Sequence, residues 1–243
     1  MDRSETVRPL ALDGALEVYL LGLVDFDAAL FLQERLMMDV AQGEGGRGAL
    51  LICEHPPIIT IGREGSRADV GCDREELTAR QIEVRWLNRG GGSLVHVPGQ
   101  LALYPIVPLA LRGLGLADYR DRLERAVLDT CRELRIRAWS RPPRAGVFCR
   151  GGNLASIGVA VRSSMTSHGL FLNVNPRTDA LALVRSREGP ATSLAAELGA
   201  PIAMPAVRES LARRLAARLD YPRYQLYTGH PLLRRTRRVV AYA

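Results

Sequence analysis

The stretch Arg89-Gly90-Gly91-Gly92-Ser93-Leu94-Val95-His96-Val97-Pro98-Gly99-Gln100 constrains this chain more than any other. Three glycines in succession bring backbone N–H and C=O groups where no side chain could stand, which suits a tight loop against a ligand or another strand. Arg89 adds a fixed cation beside that loop, and His96 adds a titratable ring. What surrounds the motif is as informative. The 33 basic residues include no lysine, so every one is arginine.

Around this block, short apolar runs alternate with helical stripes, which predicts an α+β fold with a mixed, mostly antiparallel sheet flanked by helices. Leu16–Val24 reads as a strand. Asp25 is the expected N-cap of a helix to about Ala41, with Ala28, Leu32, Leu36 and Val40 on one stripe. Ala49–Cys53 and Ile58–Ile61 are separated by Glu54-His55-Pro56-Pro57, where neither proline can continue a central ladder. Asp73 is expected to cap a short helix to Gln81, followed by strands at Glu83–Asn88 and Leu101–Val107. Asp118 is the expected start of a helix to about Leu134, with Tyr119, Leu123, Val127 and Cys131 facing the core. Gly146–Cys149 and Asn153–Arg162 flank an Arg-Gly-Gly turn and read as a hairpin, and Leu170–Val174 adds a strand. Helices are expected at Thr192–Leu198 and Pro205–Leu219. The organisation expected is an N-terminal segment 1–15, one domain over 16–200, and a helical appendage with a basic tail over 201–243.

With 47% hydrophobic residues, the chain can bury a sizeable core. No apolar run approaches the ~20 residues that span a bilayer, and Met1–Pro9 lacks a signal-peptide core, so a cytoplasmic protein is expected. Cys53, Cys72, Cys131 and Cys149 form no C-x-x-C pattern, which suggests reduced thiols rather than a disulfide framework or zinc site. Neither a cofactor nor a metal is expected. The net charge of +7 favours an acidic partner. At 5% aromatic residues the chain offers few stacking platforms, so nucleic acid is not an expected partner.

Four stretches together resemble the lipoyl/octanoyl transferases, which share a fold with lipoate and biotin protein ligases. They are Glu54–Arg63; Arg89 to His96 with Pro98-Gly99-Gln100 and Tyr104-Pro105; Gly146-Val147-Phe148 with Leu154-Ala155-Ser156-Ile157-Gly158; and Ser167-His168-Gly169-Leu170-Phe171-Leu172-Asn173-Val174-Asn175. The resemblance spans roughly residues 16–200. It implies an octanoyl or lipoyl group held by Arg89, Gly90, Gly91, Gly92, Ser93, Leu94, Val95, His96, Ser156, Ile157, Gly158, Gly169, Leu170 and Phe171. It also implies an acyl-carrier protein or a lipoyl domain as partner. Against this stand plainer readings. The glycines can serve tight turns alone, Arg89 can be a solvated surface charge, His55 can be a strand-end hydrogen bonder, and His168 is divided between roles.

Two departures stand out. The family's transfer runs through a cysteine thioester assisted by a lysine, because thiolate is the nucleophile and a nearby cation raises its fraction. The lysine position, just before Leu154, holds Asn153. Counting from either side places Arg187 or Val184 at the cysteine position, and no cysteine follows Cys149. Cys149 as a relocated nucleophile and Ser186 as a substitute are the weaker alternatives, and an ATP-dependent ligase is disfavoured without lysine. The sequence therefore leads to the expectation of a pseudoenzyme that binds an acyl group, a lipoyl domain or a carrier protein. An active octanoyltransferase with an unorthodox or relocated nucleophile is the alternative. A slot filled by side chains, leaving a structural role, is a third reading.

Overall fold

The computed structural model describes residues 14–186 and 189–233. The basic run Arg234–Arg238, nearly all of the N-terminal segment and Arg187 lie outside the described residues. The elements in chain order are β1 (Leu16–Leu23), α1 (Phe26–Gln42), β2 (Gly48–Glu54), β3 (Ile58–Ile61), α2 (Arg74–Ala79), β4 (Glu83–Trp86), β5 (Ser93–His96), β6 (Gln100–Ile106) and α3 (Leu116–Glu133). They continue with β7 (Ala138–Arg141), β8 (Arg144–Cys149), β9 (Gly152–Arg162), β10 (Met165–Asn173), α4 (Thr178–Leu181), α5 (Leu194–Leu198), α6 (Met204–Arg218) and β11 (Tyr224–Thr228).

Eight strands form one sheet in the order β11-β1-β2-β6-β10-β9-β8-β7. Among the described residues of this sheet, the β11–β1 and β1–β2 pairings are parallel and the others antiparallel. Period-two alternation explains how both faces are buried. On β2, Leu50 and Ile52 join the core with α3 and α6, whereas Ala49, Leu51 and Cys53 face the core under α1. Each large side chain fully withdrawn from water contributes roughly 1.5–3 kcal/mol, an upper range because unfolded chains already bury some surface.

The Pro56-Pro57 break moves the chain from the large sheet to a second one, ordered β4-β3-β5. Its own small core includes Ile59, Ile61, Val95, Leu181 and Val184. This sheet carries the glycine motif: β5 begins directly after Gly92.

The helical stripes form as expected. Asp25 accepts a hydrogen bond from the Ala28 amide at 3.1 Å, and Leu32, Leu36 and Val40 are buried. Ala29, rather than Ala28, is the buried alanine of the first turn. Helix α3 starts two residues before Asp118, at Leu116, with Gly115 at the cap position. Asp118 then lies in the first turn, where a carboxylate suits the helix dipole. Its core stripe of Tyr119, Leu123, Val127 and Cys131 is at most 1% exposed.

Residues beyond 200 differ from the expected helical appendage. Helix α6 shares the α3 core through Val207, Leu211 and Leu215, and β11 then pairs in register with β1, Leu16 opposite Tyr224. Strand β11 is a mostly exposed edge held by backbone hydrogen bonds, so it carries little hydrophobic alternation to announce it.

Candidate functional site

Arg89 is fully buried. Its guanidinium is not a solvated charge but the hub around which the glycine loop is wound. Nη1 donates to Gly90 O and Gly92 O at 3.0 and 3.1 Å, and Nη2 donates to Thr60 O and Thr60 Oγ1 at 3.2 and 2.7 Å. Burial pulls its pKa down to about 10, still well above neutral, so it stays charged. A buried cation is tolerated when such donors are met by carbonyls.

The loop is docked as well as wound. Gly90 N donates to Val159 O at 2.9 Å, and Gly91 N donates to the Glu64 carboxylate at 3.0 Å. Gly91 has φ +79°, a left-handed conformation that glycine adopts without penalty. A Cβ on Gly158 would stand 2.7 Å from Gly90 O and 3.0 Å from Arg89 Nη1. Gly158 on β9 therefore needs glycine for contact between backbones, whereas Gly91 needs it for its left-handed conformation.

His96 is engaged on both sides. Nδ1 lies 2.9 Å from Gln100 Oε1, an acceptor, so Nδ1 carries the proton and Nε2 accepts from Thr60 Oγ1 at 2.8 Å. Gln100 in turn donates to Val95 O and Asn173 Oδ1. Arg89, Thr60, His96, Gln100 and Asn173 thus form one hydrogen-bonded chain with consistent donor directions. Burial pushes the His96 pKa down, followed by the neighbouring His55 ring and the Arg89 charge. His55 sits beside it, between Val24 O at 2.8 Å and the Tyr104 hydroxyl at 2.7 Å, its pKa lowered by burial to about 4. Both imidazoles are neutral braces at physiological pH.

A cleft of about 90 Å³ opens between the glycine loop and the β8–β9 hairpin. Arg89, Gly91, Gly92, Ser93, Leu94, Ser156 and Ile157 line it, so half of the residues expected at the site meet there. Gly90 and Gly158 lie immediately behind, in mutual contact. The others are packed elsewhere. Val95 belongs to the small core, Leu170 to the α3 side of the large sheet and Phe171 to the α1 side, 4.5 Å from the His96 ring centre. Gly169 is at the β10–β6 crossing, where a Cβ would stand 2.1 Å from Leu103 O.

Glu64, Asp69 and Arg185 also line the cleft without being among the expected residues, and Ser186, weighed only as a substitute nucleophile, joins them. Asp69 accepts from Ser93 Oγ at 2.8 Å, and Arg185 N donates to Asp69 O at 2.7 Å. The acidic residues following Ile61-Gly62 are the sequence signal for half of this set. For the 185–186 segment, chain reversal through α4 decides the position, and no local pattern marks it.

The thiols stand apart. All four cysteines are buried. Burial, reinforced by Glu197, pushes Cys149 up to about 11, and its Sγ donates to Gly152 O at 3.7 Å. Asn153 is 3% exposed and accepts from Ser156 Oγ at 3.0 Å, while its Nδ2 finds no partner among the described residues. His168, at φ +55°, has its pKa lowered to about 4 by burial and by Arg89 and Arg63, and its Nδ1 is likewise unpartnered among the described residues. The site can therefore offer the Arg185 guanidinium to an acyl carbonyl, but no ionised thiol, and the Ser93 and Ser156 hydroxyls already donate within the protein. No group of histidines, cysteines and carboxylates among the described residues is arranged to hold a metal, and no described helix is long and apolar enough to cross a membrane.

Comparison with known proteins identifies the family and the fold. The octanoyltransferase of Geotalea uraniireducens is 40% identical over 205 residues, covering 82% of this chain and 91% of that protein. That of Geobacter metallireducens is 41% identical over 217 residues, covering 87% and 97%. The bi-partite lipoate protein ligase of Thermoplasma acidophilum superposes with a TM-score of 0.72 at 15% identity, covering 90% of this chain and 89% of that one. Lipoate-protein ligase A bound with ATP gives 0.71 at 15%, covering 90% of each. These two show the shared fold. Residues 25–216 match the lipoyl protein ligase A/B catalytic domain, and the chain belongs to that family.

Proposed function

We propose that the protein transfers an octanoyl or lipoyl group from an acyl-carrier protein to a lysine of a lipoyl domain, with the acyl carbonyl held between the glycine loop and the β8–β9 hairpin. The 40% identity with an octanoyltransferase across most of both chains carries this reading. The route differs from covalent transfer through a cysteine. No residue in the chain is a lysine, and Cys149, the thiol of the hairpin, is held protonated by burial. The neutral target amine instead attacks the carrier thioester directly: the C–N bond forms, the C–S bond breaks, and the proton lost by the amine passes to the departing sulfur, so that the carrier leaves as its thiol.

The chain's part is orientation and donation. Arg89 fixes the loop, the Ser156 hydroxyl is held by Asn153, and the Arg185 guanidinium at the cleft donates to the carbonyl. Donors and binding without a nucleophile retain on the order of 10³–10⁴ over water in protease triad deletions. The cleft, at about 90 Å³, lies below the roughly 300–1,000 Å³ of ordinary ligand pockets, so the acyl chain enters by widening it. That narrowness and the buried thiols favour a second reading, a pseudoenzyme that holds an acyl group or lipoylated domain without turnover. In either reading we place the protein in the cytoplasm.

Purified protein incubated with octanoyl-carrier protein and an unmodified lipoyl domain is expected to yield octanoyl-lysine by mass spectrometry. Cys149→Ser leaves that yield unchanged on the direct route and abolishes it if the thiol has been recruited. Absence of product with retained octanoate or lipoyl-domain binding selects the second reading. Absence of both removes the two readings together.

A further inference from the structure

A larger cavity lies at the far end of the β8–β9 hairpin from the glycine loop. It is a groove of about 710 Å³ between the end of α3, strand β7, the Arg150 turn and α5. Arg135, Arg137 and Arg150 line it together with Trp139, Leu198 and Glu197. The three arginines are exposed, and their guanidinium groups have no hydrogen bond or ion pair among the described residues. That is unlike Arg85, Arg122, Arg132, Arg208 and Arg218, all of which pair with carboxylates. The carboxylate in the groove, Glu197, is committed to the Gly151 amide at 2.9 Å.

Arg135 adds a second observation. It follows the α3 cap at φ +58°, where glycine is the ordinary residue, so a guanidinium is presented at some backbone cost. Beside these cations the groove offers apolar surface, with Leu198 44% exposed.

We infer that this groove docks an acidic, amphipathic segment of a partner protein, its carboxylates on Arg135, Arg137 and Arg150 and an apolar side chain on Trp139 and Leu198. Charge complementarity argues for an anion. The breadth of the groove argues for an extended one, because no guanidinium is buried around a small-ion cage. Arginine's planar fork suits carboxylates, and the net charge of +7 steers acidic partners toward the surface. Arg150 belongs to the hairpin turn, and Asn153, three residues on, donates its amide to Pro190 O at 2.8 Å. A partner seated here therefore grips the hairpin whose other end carries Ser156 and Ile157. Docking of this kind does not depend on acyl transfer.

The test uses the full chain and a fluorescently labelled synthetic amphipathic helix, with glutamates on one face and leucines on the other. Anisotropy is expected to show binding that weakens at least tenfold in Arg137→Glu/Arg150→Glu and falls as salt rises. A peptide with glutamine for glutamate should bind correspondingly less. The charge-matched control Arg74→Glu/Arg162→Glu, altering exposed arginines elsewhere, should bind as the parent does. Coincident circular-dichroism melts establish that the variants fold. No binding by the parent chain overturns the proposal, as does equal loss in the control. Stoichiometric binding of inorganic pyrophosphate, lost in the groove variant while the peptide fails to bind, overturns it in favour of a small anion.

Discussion

The two ends of the β8–β9 hairpin use arginine in opposite ways. At the glycine loop, Arg89 is buried and four of its hydrogen bonds end on Thr60, Gly90 and Gly92. At the groove, Arg135, Arg137 and Arg150 are exposed and their guanidinium groups unengaged among the described residues. A buried guanidinium that gives both its terminal nitrogens to carbonyls and a hydroxyl shapes the backbone and keeps only its Nε unpartnered among the described residues. An exposed one costs the fold almost nothing and keeps its donors for a partner. The same residue type thus builds one site and furnishes the other.

The sharpest way to break this contrast is Arg89→Ala. It strands two loop carbonyls and Thr60 in the interior, and a loss of roughly 3–5 kcal/mol is expected in urea unfolding, as for other broken buried charge networks. A loss below about 1 kcal/mol would mean that the loop holds its shape without its hub.

Acid supplies the next largest effect. His55 has its pKa lowered to about 4 from an ordinary 6.5, so the unfolded state binds a proton that the folded state refuses. Stability is therefore full above pH 6.5 and falls as pH drops from 6.5 toward 4. Each pH unit of that separation is worth about 1.4 kcal/mol, giving up to about 3 kcal/mol from His55. Melts across this window check it, and His55→Gln should flatten the slope.

Gly158→Ala drives a Cβ against Gly90 O and is expected to cost about 1–3 kcal/mol, with displacement of the loop. Gly92→Ala is its counterpart. Nothing lies within 4 Å of where its Cβ would stand, so stability should change by less than about 0.5 kcal/mol while ligand binding at the cleft reports the added methyl. If both glycine variants melt alike, the distinction between a docked and an open glycine fails. The smallest stability effect, within about 0.5 kcal/mol, is expected for Arg137→Glu/Arg150→Glu, since neither side chain has a partner to lose among the described residues.

Local patterns were readable where local physics sufficed. Asp25 capping α1, the Tyr119–Cys131 stripe and the break at Pro56-Pro57 each follow from neighbouring residues. The glycine motif also borders the cleft, through Gly91, Gly92, Ser93 and Leu94. Leu170 and Phe171 adjoin the motif set in sequence yet point to opposite sides of the sheet, because alternation divides them. Strand β11 is not legible in the sequence because a solvated edge strand needs no apolar pattern.

The amino-acid order by itself determined the repertoire: short strands and amphipathic helices, a glycine loop beside an arginine, no lysine anywhere and no cysteine after Cys149. Tertiary structure decided how each group is used. Whether Arg89 meets water or carbonyls, whether His96 faces a ligand or Thr60 and Gln100, and whether three arginines share a groove all depend on chain segments far apart in sequence. Burial and hydrogen-bond partnership are properties of those meetings, and they set what a charge or a proton can do.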